Sequence, residues 1–155
     1  MAMKGTLLVK DHEGTELEGP RADKTSLIFE FDHEVYMPYD KEENRIQGSR
    51  RITAFTLTKD IDKLTPQLYQ MTCLGQECQE VKVELYRISP EGGDEEVYFT
   101  YILENAKIVS VQNLMPSTKY EENENVGHLE KVKFLAKKFT WQAKDGGIEY
   151  TEESF

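Results

Sequence analysis

Two stretches of this 155-residue chain alternate apolar and polar residues for longer than one strand usually lasts, and both change phase midway. In residues 96–111, Val97, Phe99, Tyr101 and Leu103 share one face, but Ala106 and Ile108 share the other. In residues 128–143, Val132, Phe134 and Ala136 give way to Phe139 and Trp141 in the opposite phase. A strand keeps one face buried only while its alternation holds, so each stretch must bulge or bend where the phase slips, the first of them near Glu104 and Asn105. Two long bent strands predict curled antiparallel sheets closing into a barrel, not a flat sandwich.

The other strands are shorter. Residues 6–10 open the chain, and residues 25–36 place Leu27, Phe29, Phe31 and Val35 on one face against Ser26, Glu30, Asp32 and Glu34. His33 falls in the apolar phase of that strand, where a satisfied core or interface histidine is the natural reading, since no nucleophile stands nearby. Residues 50–58 and 80–89 add two more strands, the second with Val81, Val83 and Leu85 inward, and Lys144-Asp-Gly-Gly147 turns the chain into a last strand at 148–150. One helix interrupts this pattern. Thr65 is placed to cap it, Pro66 to begin it, Leu64 and Tyr69 to staple it, and Gly75 to end it in a left-handed conformation. A body of residues 66–74 is too short to stand alone, because isolated helices below about 12–15 residues are marginal. It must dock on the sheet, with Leu68, Tyr69 and Met71 buried and Gln67 and Gln70 exposed.

The chain is mainly β, one domain over residues 1–155, with one short helix packed alongside a barrel. Its surface is very polar: 31% of residues are charged and mean hydropathy is −0.64. A formal charge of −10 argues against nucleic acid or an anionic membrane as partner. No apolar run is long enough to span a bilayer, and the first ten residues lack the apolar core of a secretory signal. Cys73 and Cys78 read as reduced, mostly buried thiols, with a redox pair as the sharper alternative. No phosphate-binding glycine loop, nucleophile elbow or His-Glu-x-x-His is present, and the carboxylate runs lack calcium-loop spacing. No catalytic residue, cofactor or metal is therefore expected. Residues 37–49 and 115–127 are long aperiodic loops; Tyr39 and Ile46 could anchor the first on a partner, or it could be a solvated excursion.

The ordered set Gly48-Ser-Arg50, Phe55-Thr-Leu-Thr-Lys-Asp-Ile-Asp62, Thr65-Pro-Gln-Leu-Tyr69, Gly75, Leu85-Tyr-Arg-Ile88, Tyr98-Phe99, Leu103-Glu-Asn-Ala-Lys-Ile-Val109, Met115, His128-Leu-Glu-Lys-Val132, Phe139-Thr-Trp141 and Lys144-Asp-Gly146 resembles the haemolysin-coregulated protein (Hcp) family. These are tube subunits of bacterial type VI secretion systems. Ile52 and Ala54 stand where the family commonly has His and Pro, and the first two dozen residues match weakly.

The resemblance implies a barrel of two curled sheets and a structural role. Family members form hexameric rings that stack into a tube, are expelled by a contractile sheath, and carry effectors. The implied partners are further copies of the chain, a VgrG-type spike, sheath and baseplate components and cargo effectors. The implied location is cytoplasmic during assembly and outside the cell afterwards, without a signal peptide. The chain ends soon after its last strand, so no fused effector domain is expected. Ring or stacking contacts are expected at Tyr39, Asp40, Lys41, Glu42, Glu43, Asn44 and Arg45, with Gln67 and Gln70 on the helix. The alternative is a monomeric barrel binding a small apolar ligand, which needs an interior cavity.

Overall fold

The computed structural model describes residues 3–154. Eleven strands and one helix follow in the order β1 (Gly5–Lys10), β2 (Ser26–Asp32), β3 (Val35–Tyr36), β4 (Tyr39–Asp40), β5 (Arg45–Ile46), β6 (Arg51–Ile52), β7 (Phe55–Asp60), α1 (Thr65–Leu74), β8 (Glu77–Ile88), β9 (Glu95–Leu114), β10 (Leu129–Ala143) and β11 (Ile148–Glu153). Six antiparallel strands close a barrel in the order β10-β7-β2-β1-β8-β9, because β10 pairs with β7 on one edge and β9 on the other. β7 leaves β10 at Phe134, and β11 takes over that edge from Lys138 to Ala143. Leu7, Phe55, Leu57, Val81, Val83, Leu103, Val132 and Phe134 fill the interior and are essentially inaccessible to solvent.

The phase slips fall on one transverse line. Val81 and Cys78, Leu103 and Ala106, and Phe139 and Ala136 are buried pairs three residues apart on β8, β9 and β10. The row joining Gln79, Asn105 and Lys137 drops out of both ladders while the register on either side is unchanged. Asn105 adopts φ 51°, a left-handed conformation that asparagine tolerates better than most residues. Three strands thus bend together where the sequence indicated a bend in two of them. True single-residue bulges lie elsewhere, at Tyr98 and Val109.

A third bulge corrects the expected face of β2. Ser26 and Ile28 are buried whereas Leu27 and Phe29 are exposed, and Phe29 is the extra residue between Ile28↔Lys59 and Glu30↔Thr58. The phase then returns and Phe31 packs against the core. Gly5 lies opposite Ile28, and a Cβ there would sit 2.9 Å from Ile28 Cγ1, so the inward isoleucine is accommodated by the missing side chain. Residues 25–36 are not one strand: β2 stops at Asp32, and β3 begins a separate two-stranded ribbon with β6.

Helix α1 begins as expected with proline in its first turn and ends at Gly75 with φ 66°. Gly75 N–H bonds to Thr72 O and Gln76 N–H to Met71 O, the paired bonds of a Schellman stop. Thr65 does not cap the helix: the boundary residue is Leu64 and no side chain accepts from the first-turn amides as a cap. Leu64, Leu68 and Met71 are buried, but Tyr69 is exposed, which corrects the expected staple and inward tyrosine. Leu68 lies four residues after Leu64, so the inward stripe runs through it instead.

Candidate assembly surface

Thr65 is withdrawn from capping by a buried ionic cluster. Lys59 and Glu130 are fully buried, and Lys59 Nζ lies 2.6 Å from Glu130 Oε2. The ammonium also donates to Asp62 Oδ1 and to the Asp60 carbonyl, each at 3.0 Å, so all three of its protons are used. Thr65 Oγ1 donates to Glu130 Oε2 and accepts from the Asp62 amide. Asp62 in turn accepts from the Leu64 amide and from Ser26 Oγ. β2, β7, β10 and the start of α1 are thereby tied at one point inside the barrel wall. Its signal was present in the sequence: Lys59 shares the buried phase of Phe55 and Leu57, and Glu130 that of Val132 and Phe134. A charge in that phase at two paired strands (Glu130↔Lys59) asks for its opposite.

Residues 37–49, expected to be an aperiodic loop, form an arm. β3–β6 and β4–β5 are successive rungs of one hairpin, with Tyr39 opposite Ile46 and Asp40 opposite Arg45. Two-residue rungs broken at Pro38 and Gly48 are too short to show periodicity. Glu34 and Thr53 bond across the base of the arm, and Arg50 reaches Glu152 Oε1 and the Glu153 carbonyl on β11. Asp40 folds the tip by accepting from the Glu42 amide, and Arg45 approaches Glu43 at 3.9 Å. Lys41, Glu42, Glu43 and Asn44 make the exposed turn, Asn44 with φ 54°. Val35, Tyr36, Met37, Tyr39 and Ile46 are all exposed, an apolar concentration at odds with the very polar remainder.

The two helix glutamines part company. Gln70 is exposed. Gln67 is half-buried and its amide is fully engaged: Oε1 accepts from the Glu18 amide, and Nε2 donates to the Glu18 and Lys63 carbonyls. It clamps the acidic segment after β1 onto the helix.

His33 lies in an aromatic group at one end of the barrel, stacked on Phe139 at 5.2 Å and beside Phe55, Tyr101 and Trp141. Both ring nitrogens lack a hydrogen-bond partner among the described residues, and burial pushes the imidazole below its ordinary value of 6.5. It is a packing group, as expected, but its nitrogens are unpartnered where satisfied ones were expected. Arg87 binds Asp145 through two nitrogens and Glu96 through Nε, while Lys144 also reaches Glu96. These partners raise the guanidinium further and hold both carboxyls below their usual range. The cluster fastens the 145–147 turn to β8 and β9. Both cysteines are free thiols; Cys78 is buried, which pushes it up to about 12, whereas Cys73 is exposed, contrary to expectation.

The sequence signature of the family described as "Type VI secretion system effector, Hcp" matches residues 7–142. The "Major exported protein" of Pseudomonas aeruginosa is 32% identical over 127 residues, covering 82% of this chain and 73% of that protein. An Hcp structure from the E. coli EAEC 042 pathovar is 30% identical and superposes with a TM-score of 0.86 over 99% of this chain and all of its own. A secreted Hcp protein of Pseudomonas aeruginosa, 22% identical, matches in fold with a TM-score of 0.78 over 98% of each chain.

Proposed function

The chain belongs to the Hcp family of type VI secretion proteins, and on that premise we propose that it is a subunit of the secretion tube. Copies close into six-membered rings in the cytoplasm, the rings stack, and the stack is expelled through the sheath and baseplate behind a VgrG-type spike with effectors aboard. The observation that carries this reading is the arm. A barrel with a filled interior needs no apolar hairpin beyond its wall, yet this chain exposes five large apolar side chains on one. Tyr39 and Ile46, paired across the ribbon, are the contact residues; Lys41, Glu42, Glu43, Asn44 and Arg45 set its approach, and Gln70 adds a polar contact from the helix. Small-ligand binding inside the barrel is disfavoured, since Phe55, Leu57, Leu103 and Phe134 occupy that space.

The proposal is tested by replacing residues 39–46 with a two-residue Asn-Gly turn, closed on the Gln47 N–H to Pro38 O bond, and imaging the purified protein in negative stain. Single rings without tubes are expected. Tubes as long as those of the unaltered protein would remove the arm from stacking. In cells, the chain should reach the medium only when the sheath can contract; release from sheath-deficient cells would contradict the tube assignment.

A further inference from the structure

The outer face of β10 carries a positive patch on a strongly negative molecule. Lys131 and Lys133 are exposed there, and neither has a carboxylate within 4.0 Å among the described residues; Lys107 beside them is exposed too but pairs in register with Glu77 of β8. Lys131 pairs in register with Gln112, Lys133 with Ser110, and Leu135 with Lys107. Leu135 and Val109 are both exposed beside these lysines. The flanking strand β7 offers only Thr56 and Thr58, and the nearest carboxylates in that direction, Glu30 and Asp32, stand one strand further on β2. An apolar pair rimmed by uncompensated charge has the composition of a contact surface.

The barrel order identifies what lies opposite. In the ring β10-β7-β2-β1-β8-β9, β1 is three strands from β10 in either direction. The segment leaving β1 carries Asp11, Glu13, Glu16 and Glu18, and its conformation is fixed. Leu17 N–H bonds to Val9 O, Lys10 pairs with Glu16, and Gln67 of α1 holds Glu18 by both backbone groups. A ring built from identical subunits needs two different, complementary patches on opposite sides of each copy.

We infer that the Lys131–Lys133 patch of one copy receives the acidic 11–18 segment of the next copy. The inference rests on the ring reading above and adds to it the surfaces that meet and the polarity of the contact. It also gives Gln67 a part: the glutamine positions the acidic segment and does not itself touch the neighbour.

Charge reversal tests this without removing any buried group. K131E/K133E and E13K/E18K are made separately and together, with K119E as a control at an exposed lysine of the 115–127 loop. Ring content is read by sedimentation velocity, and folding by circular dichroism. Each double variant alone should weaken ring association about tenfold or more, the loss expected when like charges face each other. The quadruple variant, in which both polarities are reversed, should recover rings, and the control should match the unaltered protein. Rings at full strength in K131E/K133E would overturn the inference and leave the ring reading standing; the patch would then be free for acidic cargo. Folded but unrecovered quadruple variant would overturn the pairing. A monomeric unaltered protein would instead remove the ring reading itself.

Discussion

Lys59 and Glu130 decide how the wall of the barrel holds its helix. Removing one partner leaves the other charge buried without compensation, so Lys59→Met should cost about 3–5 kcal/mol in urea unfolding. Replacing both, as Lys59→Met with Glu130→Leu, should restore most of that loss, because an apolar pair of similar volume avoids the desolvation of two ions. A double variant no more stable than the single one would show that Thr65 and Asp62, not the ion pair, carry the cost. His33 gives a second residue-scale prediction. Its imidazole is depressed by burial in the folded chain, so its contribution is fully present above about 6.5 and is lost as pH falls below that value, where the unfolded chain takes up the proton first. Stability of the unaltered protein should therefore fall between pH 7 and 5 more steeply than that of His33→Phe; parallel curves would contradict the assignment. Lys59 and Glu130 each stand in the apolar phase of their strands, a signal present in the sequence. What alternation could not convey was the partner, which depends on register between segments some seventy residues apart.

At the level of elements, α1 separates what is local from what is not. Pro66 at the start and Gly75 at the stop were legible because each answers to its own backbone geometry. Thr65 and Tyr69 were misjudged because their roles depend on groups elsewhere: Glu130 claims the hydroxyl, and Leu68 takes the inward stripe. At Gly75 nothing lies within 4 Å of an added Cβ, so Gly75→Ala tests the left-handed backbone alone and should cost about 1–2 kcal/mol by thermal or urea unfolding. The same division holds among the strands. Phase changes in β9 and β10 survive in the sequence because each side of the bend carries several apolar residues. The Phe29 bulge left no such trace, since Leu27, Ile28 and Phe29 are three apolar residues in a row, of which only Ile28 faces inward. The arm was legible as an interruption and not as a hairpin, for its rungs are two residues long.

For the whole molecule, closure of the six-strand barrel removes the edges of those strands, leaving the outer edge of β11, the arm and charged surfaces as the means of association. A subunit of charge −10 repels its copies, so assembly must place Lys and Arg against Asp and Glu, and ring formation should vary with ionic strength over the range in which the Debye length shrinks from about 30 Å to about 8 Å. Ring content indifferent to salt across that range would count against electrostatic contacts. The family, the barrel and the region of the arm could be reached from the sequence. The surfaces that meet could not, because alternation tells which residues share a face and not what that face meets. The most direct test of the tube-subunit account is the native mass of the purified protein. The account predicts a species at six times 18.0 kDa, with heavier multiples of six as rings stack; a species at 18.0 kDa under all ionic strengths would contradict it.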